Sequence, residues 1–331
     1  YHCIFITIIP HSVLQKISSF SSPLAVGMSG NFRQMKRRIL NIAVFRKETL
    51  YQKMRALIIY LVISAVFIGC TPILSIDAST QNVYHFSDTD KNISLLDISE
   101  TFGTYDGSFV LYDNNLDSWK IYDLEEATKR IPPESTYKIY DALLGLESGI
   151  ITPEHSSMTW NGDAFPFPSW EADQDLNSAM QNSVNWYFQA IDSQLGINRV
   201  QEFLNKIEYG NQTTSSNLDL YWSDFSLKIS PLEQVTLLKK FNTNEFHLNF
   251  QNVFSVKNAI KIASTPNGNF YGKTGTGRVN GQDINGWFIG YVETSDNSYY
   301  FATNIQSDSN ATGKKAFEIT SDILKKLHIW N

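Results

Sequence analysis

Residues 135–148 read Ser135-Thr136-Tyr137-Lys138-Ile139-Tyr140-Asp141-Ala142-Leu143-Leu144-Gly145-Leu146-Glu147-Ser148, and this stretch decides the fold. Pro132 and Pro133 punctuate the chain just before it. Ile139, Leu143 and Leu146 recur at the apolar spacing of a helix, and Gly149 is a stop signal. On a helix, positions i and i+3 share a face, so Ser135 and Lys138 point the same way. A serine hydroxyl is a poor nucleophile near neutral pH without a neighbouring base. A lysine buried beside it gives up its proton more readily, because desolvation disfavours the charged form. The start of the helix also offers backbone N–H groups to a developing oxyanion. Taken alone, Ser135 reads far more often as a helix cap and Lys138 as a solvated side chain than as a nucleophile and its base, because a short motif has many accidental matches.

Two further segments change that reading. Ser183-Val184-Asn185 lies 48 positions after Ser135, inside residues 180–193, which read as helix or helix-loop. A serine there can relay a proton between the lysine and a leaving nitrogen. Lys273-Thr274-Gly275-Thr276-Gly277 follows Asn269-Phe270-Tyr271-Gly272 and precedes the alternating run Trp287-Phe288-Ile289-Gly290-Tyr291-Val292. Glycine on such a strand lets the backbone approach a ligand closely. The lysine supplies positive charge, and threonine hydroxyls can hydrogen-bond a carboxylate. Three such segments in this order describe serine acyl-transfer chemistry.

With these residues in place, the chain resembles the β-lactam sensor-transducers of Gram-positive bacteria, whose extracellular sensor is similar to class D β-lactamases. Tyr105-Asp106-Gly107-Ser108-Phe109-Val110-Leu111-Tyr112 resembles the early strand of that family. Tyr209-Gly210-Asn211 and Trp222 resemble its landmarks between the second and third motifs, and Asn285-Gly286-Trp287-Phe288 and Tyr299-Tyr300-Phe301-Ala302-Thr303 its closing strands. The resemblance implies Ser135, Lys138 and Ser183 as catalytic residues. It implies Asn185, Trp222, Lys273, Thr274, Gly275 and Thr276 as ligand-binding residues, with Thr274 and Thr276, helped by Lys273, holding a substrate carboxylate. Arg278 is the only arginine just after the third motif. The oxyanion hole is expected from the N–H groups of Ser135 and Thr276. No cofactor or metal is expected beyond a CO2-derived carbamate on Lys138, the base of class D hydrolases.

One position departs from those hydrolases. They usually carry an apolar residue at the third place of the second motif, where this chain has Asn185. An amide there can hydrogen-bond the lysine and favour loss of the carbamate, so that the serine ester persists. The expected function is a receptor acylated by β-lactams that deacylates very slowly and signals induction of resistance genes. A class D-like hydrolase of penicillins is the alternative, and a catalytically inactive binding domain is a third reading.

Charge is unevenly spread over the 331 residues, of which 42% are hydrophobic and 18% charged, a globular composition. Residues 1–55 hold nine Lys/Arg and one acid, a charge of +8, which leaves −14 on the remainder. No basic patch with interleaved aromatics appears in the acidic part, which argues against nucleic acid as a partner. Residues 56–76 contain no charged side chain, and about 20 apolar residues suffice for one membrane helix. With the cations on its N-terminal side, the positive-inside rule places the acidic part outside the cell. A signal peptide ending at Gly69-Cys70 is the competing reading. The expected organisation is therefore 1–55 as the basic cytoplasmic tail of a truncated upstream domain, 56–76 as a single membrane span, 77–97 as a linker, and 98–331 as the extracellular sensor. In the resembling family the upstream domain is a cytoplasmic zinc protease acting in a repressor pathway. Its His-Glu-x-x-His motif is absent here, and no two of the six histidines have metal-ligand spacing.

Both cysteines, Cys3 and Cys70, precede the sensor, which must therefore be held by its core. The fold class expected is mixed α/β: a serine β-lactamase/penicillin-binding transpeptidase-like fold with an antiparallel sheet flanked by helices. Strands are expected at 108–112, 119–122, 269–273, 285–293 and 299–306. Helices are expected at 135–148, 180–193, 198–206, 231–240, 252–262 and 314–327.

Overall fold

The chain divides into two units, Tyr1–Ile73 and Leu74–Asn331. The structure, a computed structural model, describes residues 82–87 and 91–331 together with Tyr51 and Met54. The expected membrane segment 56–76, both cysteines, most of the basic tail and residues 77–81 and 88–90 of the expected linker lie outside the described residues. Among the described residues no helix is long and apolar enough to cross a membrane.

The second unit begins with β1 (Asn92–Leu95), α1 (Ser99–Phe102), β2 (Asp106–Asp113), β3 (Ser118–Tyr122) and α2 (Leu124–Thr128). A 3₁₀ turn, Glu134–Tyr137, then leads directly into α3 (Lys138–Glu147). Helices α4 (Leu176–Gln181), α5 (Asn185–Leu195), α6 (Ile197–Ile207), α7 (Pro231–Asn242) and α8 (Phe250–Ala259) follow. The chain closes with β4 (Lys261–Thr265), β5 (Gly268–Val279), β6 (Gln282–Glu293), β7 (Ser298–Gln306) and α9 (Gly313–Lys326). The strands form one seven-stranded sheet in the order β1-β3-β2-β7-β6-β5-β4.

The sheet is antiparallel throughout except at one edge, where β1 runs parallel to β3. The expected antiparallel sheet flanked by helices is present, and this one parallel pair makes it mixed. The chain runs up β1, down β2 and up β3, so β1 and β3 share a direction. Because β3 lies between β2 and β1, those two like-directed strands become neighbours. The same strand falls inside the stretch expected as linker.

Period-two alternation sorts the strand side chains onto two faces. Trp287, Ile289 and Tyr291 of β6 join Tyr300 and Ala302 of β7 in a core shared with α3, α5 and α7. Phe288, Val292, Phe301 and Ile305 point the other way, into a second core closed by Ile319, Ile323 and Leu324 of α9. The expected helices and strands are present with shifted ends, and one helix is divided. Residues 180–193 are not continuous: Asn182–Val184 interrupt them, with Ser183 in the left-handed region at φ 57°. Asp175 and Ser178 form a capping box that starts α4 earlier than the apolar pattern suggests.

Candidate active site

Ser135 sits in the 3₁₀ turn and Lys138 opens α3, so the three-residue spacing brings them together on one face. Lys138 Nζ donates to Ser135 Oγ at 2.9 Å and to Asn185 Oδ1 at 2.7 Å. Lys138 is 1% exposed, with the rings of Phe188 and Trp222 each 5.5 Å from Nζ. Burial pulls its ammonium down to about 8, against the opposing pull of Asp141 and Glu134. Near neutral pH a useful fraction is therefore free amine, already touching the serine hydroxyl.

The break between α4 and α5 explains why the second motif splits into two roles. Ser183, turned by its left-handed backbone, accepts from Lys273 Nζ at 2.7 Å, while Asn185, on the first turn of α5, reaches Lys138. Ser183 therefore pairs with the lysine of the third motif in this arrangement, and the hydroxyl bound to Lys138 is that of Ser135. Lys273 is buried as well. Desolvation, with the repulsion of Lys138 next, lowers it to about 7. Strand β5 carries Lys273 to Gly277 past the nucleophile. A Cβ added at Gly275 would lie 3.1 Å from Pro133 O and 3.3 Å from the Ser135 nitrogen, so a side chain there would press on the turn that carries the nucleophile. At Gly277 an added Cβ would collide with the Glu134 carboxyl.

Ser135, Ser183, Asn185, Thr274, Gly275 and Thr276 line a cleft of about 340 Å³. Its remaining wall comes from residues that the motifs do not reveal. Phe167, Ser169 and Trp170 belong to the long connection between α3 and α4, and Arg278 and Asp283 stand at the β5–β6 end. The Trp170 indole donates to Asn182 O at 3.0 Å, and the Trp186 indole donates to Trp170 O at 2.9 Å, so this loop is fastened to the break that carries Ser183. The Thr276 hydroxyl accepts from Gly313 N–H at 2.8 Å, which leaves its own proton to donate into the cleft. Arg278 is engaged by both oxygens of Asp283, at 2.7 and 3.2 Å.

Trp222 differs from its expected role. It is 3% exposed and is not among the cleft-lining residues. Its ring stacks near Tyr137 and covers Lys138, and its carbonyl accepts from Glu134 N–H at 3.0 Å. Tyr209-Gly210-Asn211 is likewise structural. The Asn211 amide holds Ser226 O and Lys228 N–H at 2.8 and 2.9 Å, fastening the base of the loop that carries Trp222. Beneath the lysine lie two further buried acids, Asp141 and Asp192, each 0% exposed, and Glu134 is 6% exposed just before the nucleophile. Burial raises Glu134 to about 8, and Asn285 Nδ2 donates to its carboxyl at 3.2 Å. Among the described residues no group of three or more His, Cys, Asp or Glu could hold a metal ion.

The sequence matches the penicillin binding protein transpeptidase domain over residues 107–325. It is 42% identical to the regulatory protein BlaR1 of Bacillus licheniformis over 322 residues, covering 96% of this chain and 53% of that protein. The chain thus spans about half the length of that curated relative. It is 37% identical to the probable β-lactamase YbxI of Bacillus subtilis strain 168, covering 71% of this chain and 86% of that one. Among solved structures, the C-terminal domain of the Bacillus licheniformis BlaR penicillin-receptor superposes with a TM-score of 0.71 at 45% identity, covering 73% of this chain and 99% of that domain.

Proposed function

The chain belongs to the penicillin-binding protein transpeptidase-domain family, and from that premise we propose that it is a β-lactam receptor whose serine is acylated and then held. The observation that carries this reading is the placement of Lys138 Nζ between Ser135 Oγ and Asn185 Oδ1. Ser135 Oγ attacks the lactam carbonyl as its proton passes to the Lys138 amine. The ring C–N bond breaks, and Ser183, fed by Lys273, returns a proton to the leaving nitrogen. The N–H groups of Ser135 and Thr276 receive the oxyanion, and Thr274 and Thr276 hold the substrate carboxylate beside Lys273.

Deacylation needs a base that can activate water on the ester. In this arrangement Lys138 Nζ is committed to two acceptors, Ser135 Oγ and Asn185 Oδ1, which a carbamate on that nitrogen would have to displace. With Lys138 as a plain amine bound to Asn185, the ester has no strong base beside it and persists. The upstream protease domain, the repressor pathway, the single membrane span and the extracellular placement belong to the same proposal, supported by the likeness to a regulatory protein of about twice this length. The second reading, a class D-like hydrolase, draws on the likeness to a probable β-lactamase.

Mass spectrometry of the whole chain after brief exposure to a penicillin separates them. The receptor reading expects one adduct on Ser135 lasting hours. Rapid loss of the adduct with accumulation of hydrolysed drug would replace it with the hydrolase reading, and absence of any adduct would leave an inactive binding domain.

A further inference from the structure

Glu134 directly precedes the nucleophile and has no step in the chemistry above, yet its backbone and its side chain are both tied down there. It holds a left-handed conformation, φ 53°, which a residue with a β-carbon keeps only where its surroundings impose it. The surroundings do so from two sides. The Glu134 N–H donates to Trp222 O at 3.0 Å, and the Glu134 carboxyl accepts from Asn285 Nδ2 at 3.2 Å. Asn285 is itself fixed: its amide also donates to Pro132 O at 3.1 Å, and its Oδ1 accepts from Asn304 Nδ2 at 2.9 Å. The Glu134 side chain is 6% exposed and lies against β5 at the two glycines that flank Thr276. A Cβ added at Gly275 would come within 3.0 Å of Glu134 Cβ, and one added at Gly277 would overlap the carboxyl. Positions two apart on a strand share a face, so both glycines turn toward Glu134 while Thr276 sends its side chain the other way, to Gly313.

We infer that the Glu134 side chain is a spacer that sets the separation of the Ser135 and Thr276 N–H groups, and so the rate at which the lactam carbonyl is attacked. The inference deepens the acylation reading above and rests on it. Glu134 acts on both donors from outside the cleft, which makes it a positioning residue. The Ser135 N–H belongs to the peptide that Glu134 begins, so the Glu134 backbone aims it. The Thr276 N–H belongs to the strand segment that the Glu134 side chain props. Oxyanion donors work when both stand within hydrogen-bond reach of the oxygen as its charge grows, so a small error in their spacing slows the attack. The spacer must also be uncharged, since a carboxylate against this strand would oppose the growing oxyanion. Burial serves that end by raising the acid to about 8.

The charged groups around Glu134 are accounted for. Lys138 faces it from α3, and Arg278 of β5, which shares a small cavity with it, is held by Asp283 of β6. Strand β7 and the loop after α6 bring Gln306, Ser223 and Phe225 to the same cavity, none of them titratable.

The test is the kinetics of acylation of the whole chain by a fluorescent penicillin, resolved into the affinity of the first complex and the rate constant of acylation. Wild type is compared with Glu134→Gly and Glu134→Gln. Glycine accepts the left-handed backbone at no steric cost, so Glu134→Gly removes the side chain alone. It should lower the acylation rate constant by about 10–100-fold, less than the 10²–10³ lost with a whole oxyanion donor, while the affinity of the first complex changes little. Glu134→Gln keeps the shape and the neutrality, and should hold the wild-type rate near neutral pH. The ratio of its rate constant to that of wild type should then climb as the pH passes about 8, because only the wild-type side chain ionises. Titrations common to both proteins, those of Lys138 and Lys273, cancel in that ratio. A Glu134→Gly chain that acylates at the wild-type rate would overturn the proposal, and so would a Glu134→Gln chain as slow as Glu134→Gly. Should Glu134→Gly not fold, the ratio decides, and a value constant from pH 6 to 10 overturns the proposal. A wild-type chain that forms no adduct would overturn the acylation reading as well, an outcome distinct from a labelled wild type matched by its variants.

Discussion

The two faces of the central sheet solve opposite problems. Under α9, Phe270, Phe288, Phe301 and Phe317 pack ring against ring, and the one buried polar contact named there, Thr303 to Thr320, is satisfied. On the other face, the core around the nucleophile's turn and the helices α3 and α5 encloses Lys138, Lys273, Glu134, Asp141 and Asp192. The first face is what a stable domain needs. The second spends stability on ionisable groups whose charged forms burial disfavours. The lesson is that one sheet can be both anchor and reaction bed, because alternation along a strand sends neighbouring residues to different environments.

The comparison breaks most sharply at the nucleophile. Ser135→Ala should abolish covalent labelling by a fluorescent penicillin while circular dichroism and melting temperature stay near wild type. Labelling at the wild-type rate would mean that another residue is the acyl acceptor. Next in size, Lys138→Ala should slow acylation by about 10²–10⁴-fold, the usual worth of a positioned general base. A fast variant would show that some other group takes the serine proton.

A substitution under α9 should do the reverse. Phe301 is fully buried, and Phe301→Ala should cost about 3–5 kcal/mol of unfolding free energy by denaturant titration. The acylation rate per folded molecule should change little, since no atom of the cleft belongs to that core. A loss of acylation without loss of stability would show that the faces are not separable.

The ionisable face should also leave its mark on stability against pH. Glu134, raised by burial from its ordinary 4.5 to about 8, stays protonated in the fold after it would have ionised in the unfolded chain. Its contribution is therefore lost as pH climbs from about 4.5 to 8. Lys138 and Lys273, lowered to about 8 and 7, are neutral in the fold where the unfolded chain is still charged. Their contribution is lost as pH falls from about 10.5 toward 7. Melting temperature should pass through a local minimum near pH 8, and Glu134→Gln should flatten the acid-side decline. A melting temperature indifferent to pH over this range would contradict the burial of these groups as ionisable pairs. Smallest in expected effect, Asn185→Val should shorten the lifetime of the acyl adduct, by tenfold or less if water access shares control. Mass spectrometry over hours, with ¹³C-labelled CO2 reporting any carbamate, measures it. Equal lifetimes would leave the persistent adduct in need of a cause other than Asn185.

The sequence made the motif residues legible because each motif obeys a local period: three along a helix for Ser135 and Lys138, two along a strand for Lys273 and Gly275. It was less informative where tertiary contacts decide. Asn182 and Ser183 are weak helix formers, but only the pull of Lys273 on Ser183 and of Trp170 on Asn182 shows why the helix breaks there. Asp141 and Asp192 sit in runs that read as ordinary amphipathic helices, and nothing local says that both acids face inward. Phe167 and Trp170 had one available signal, the density of aromatics and prolines between 160 and 170. β1 was hidden because Asn92, Ser94 and their neighbours look like a polar tether, and only an edge position accepts such a strand.

The way the chain joins this unit gives it a mechanical character. Asn82 O takes the N–H of Arg130 at 2.8 Å, and Val83 bridges Lys129. Two residues further, Pro132 O is clamped by the indole of Trp287 at 2.8 Å and the amide of Asn285 at 3.1 Å. Ser135 follows three residues later. Residues 129–133, the strap that leads into the nucleophile, are thus fastened at one end to Asn82 and Val83 and at the other to Asn285 and Trp287 of β6.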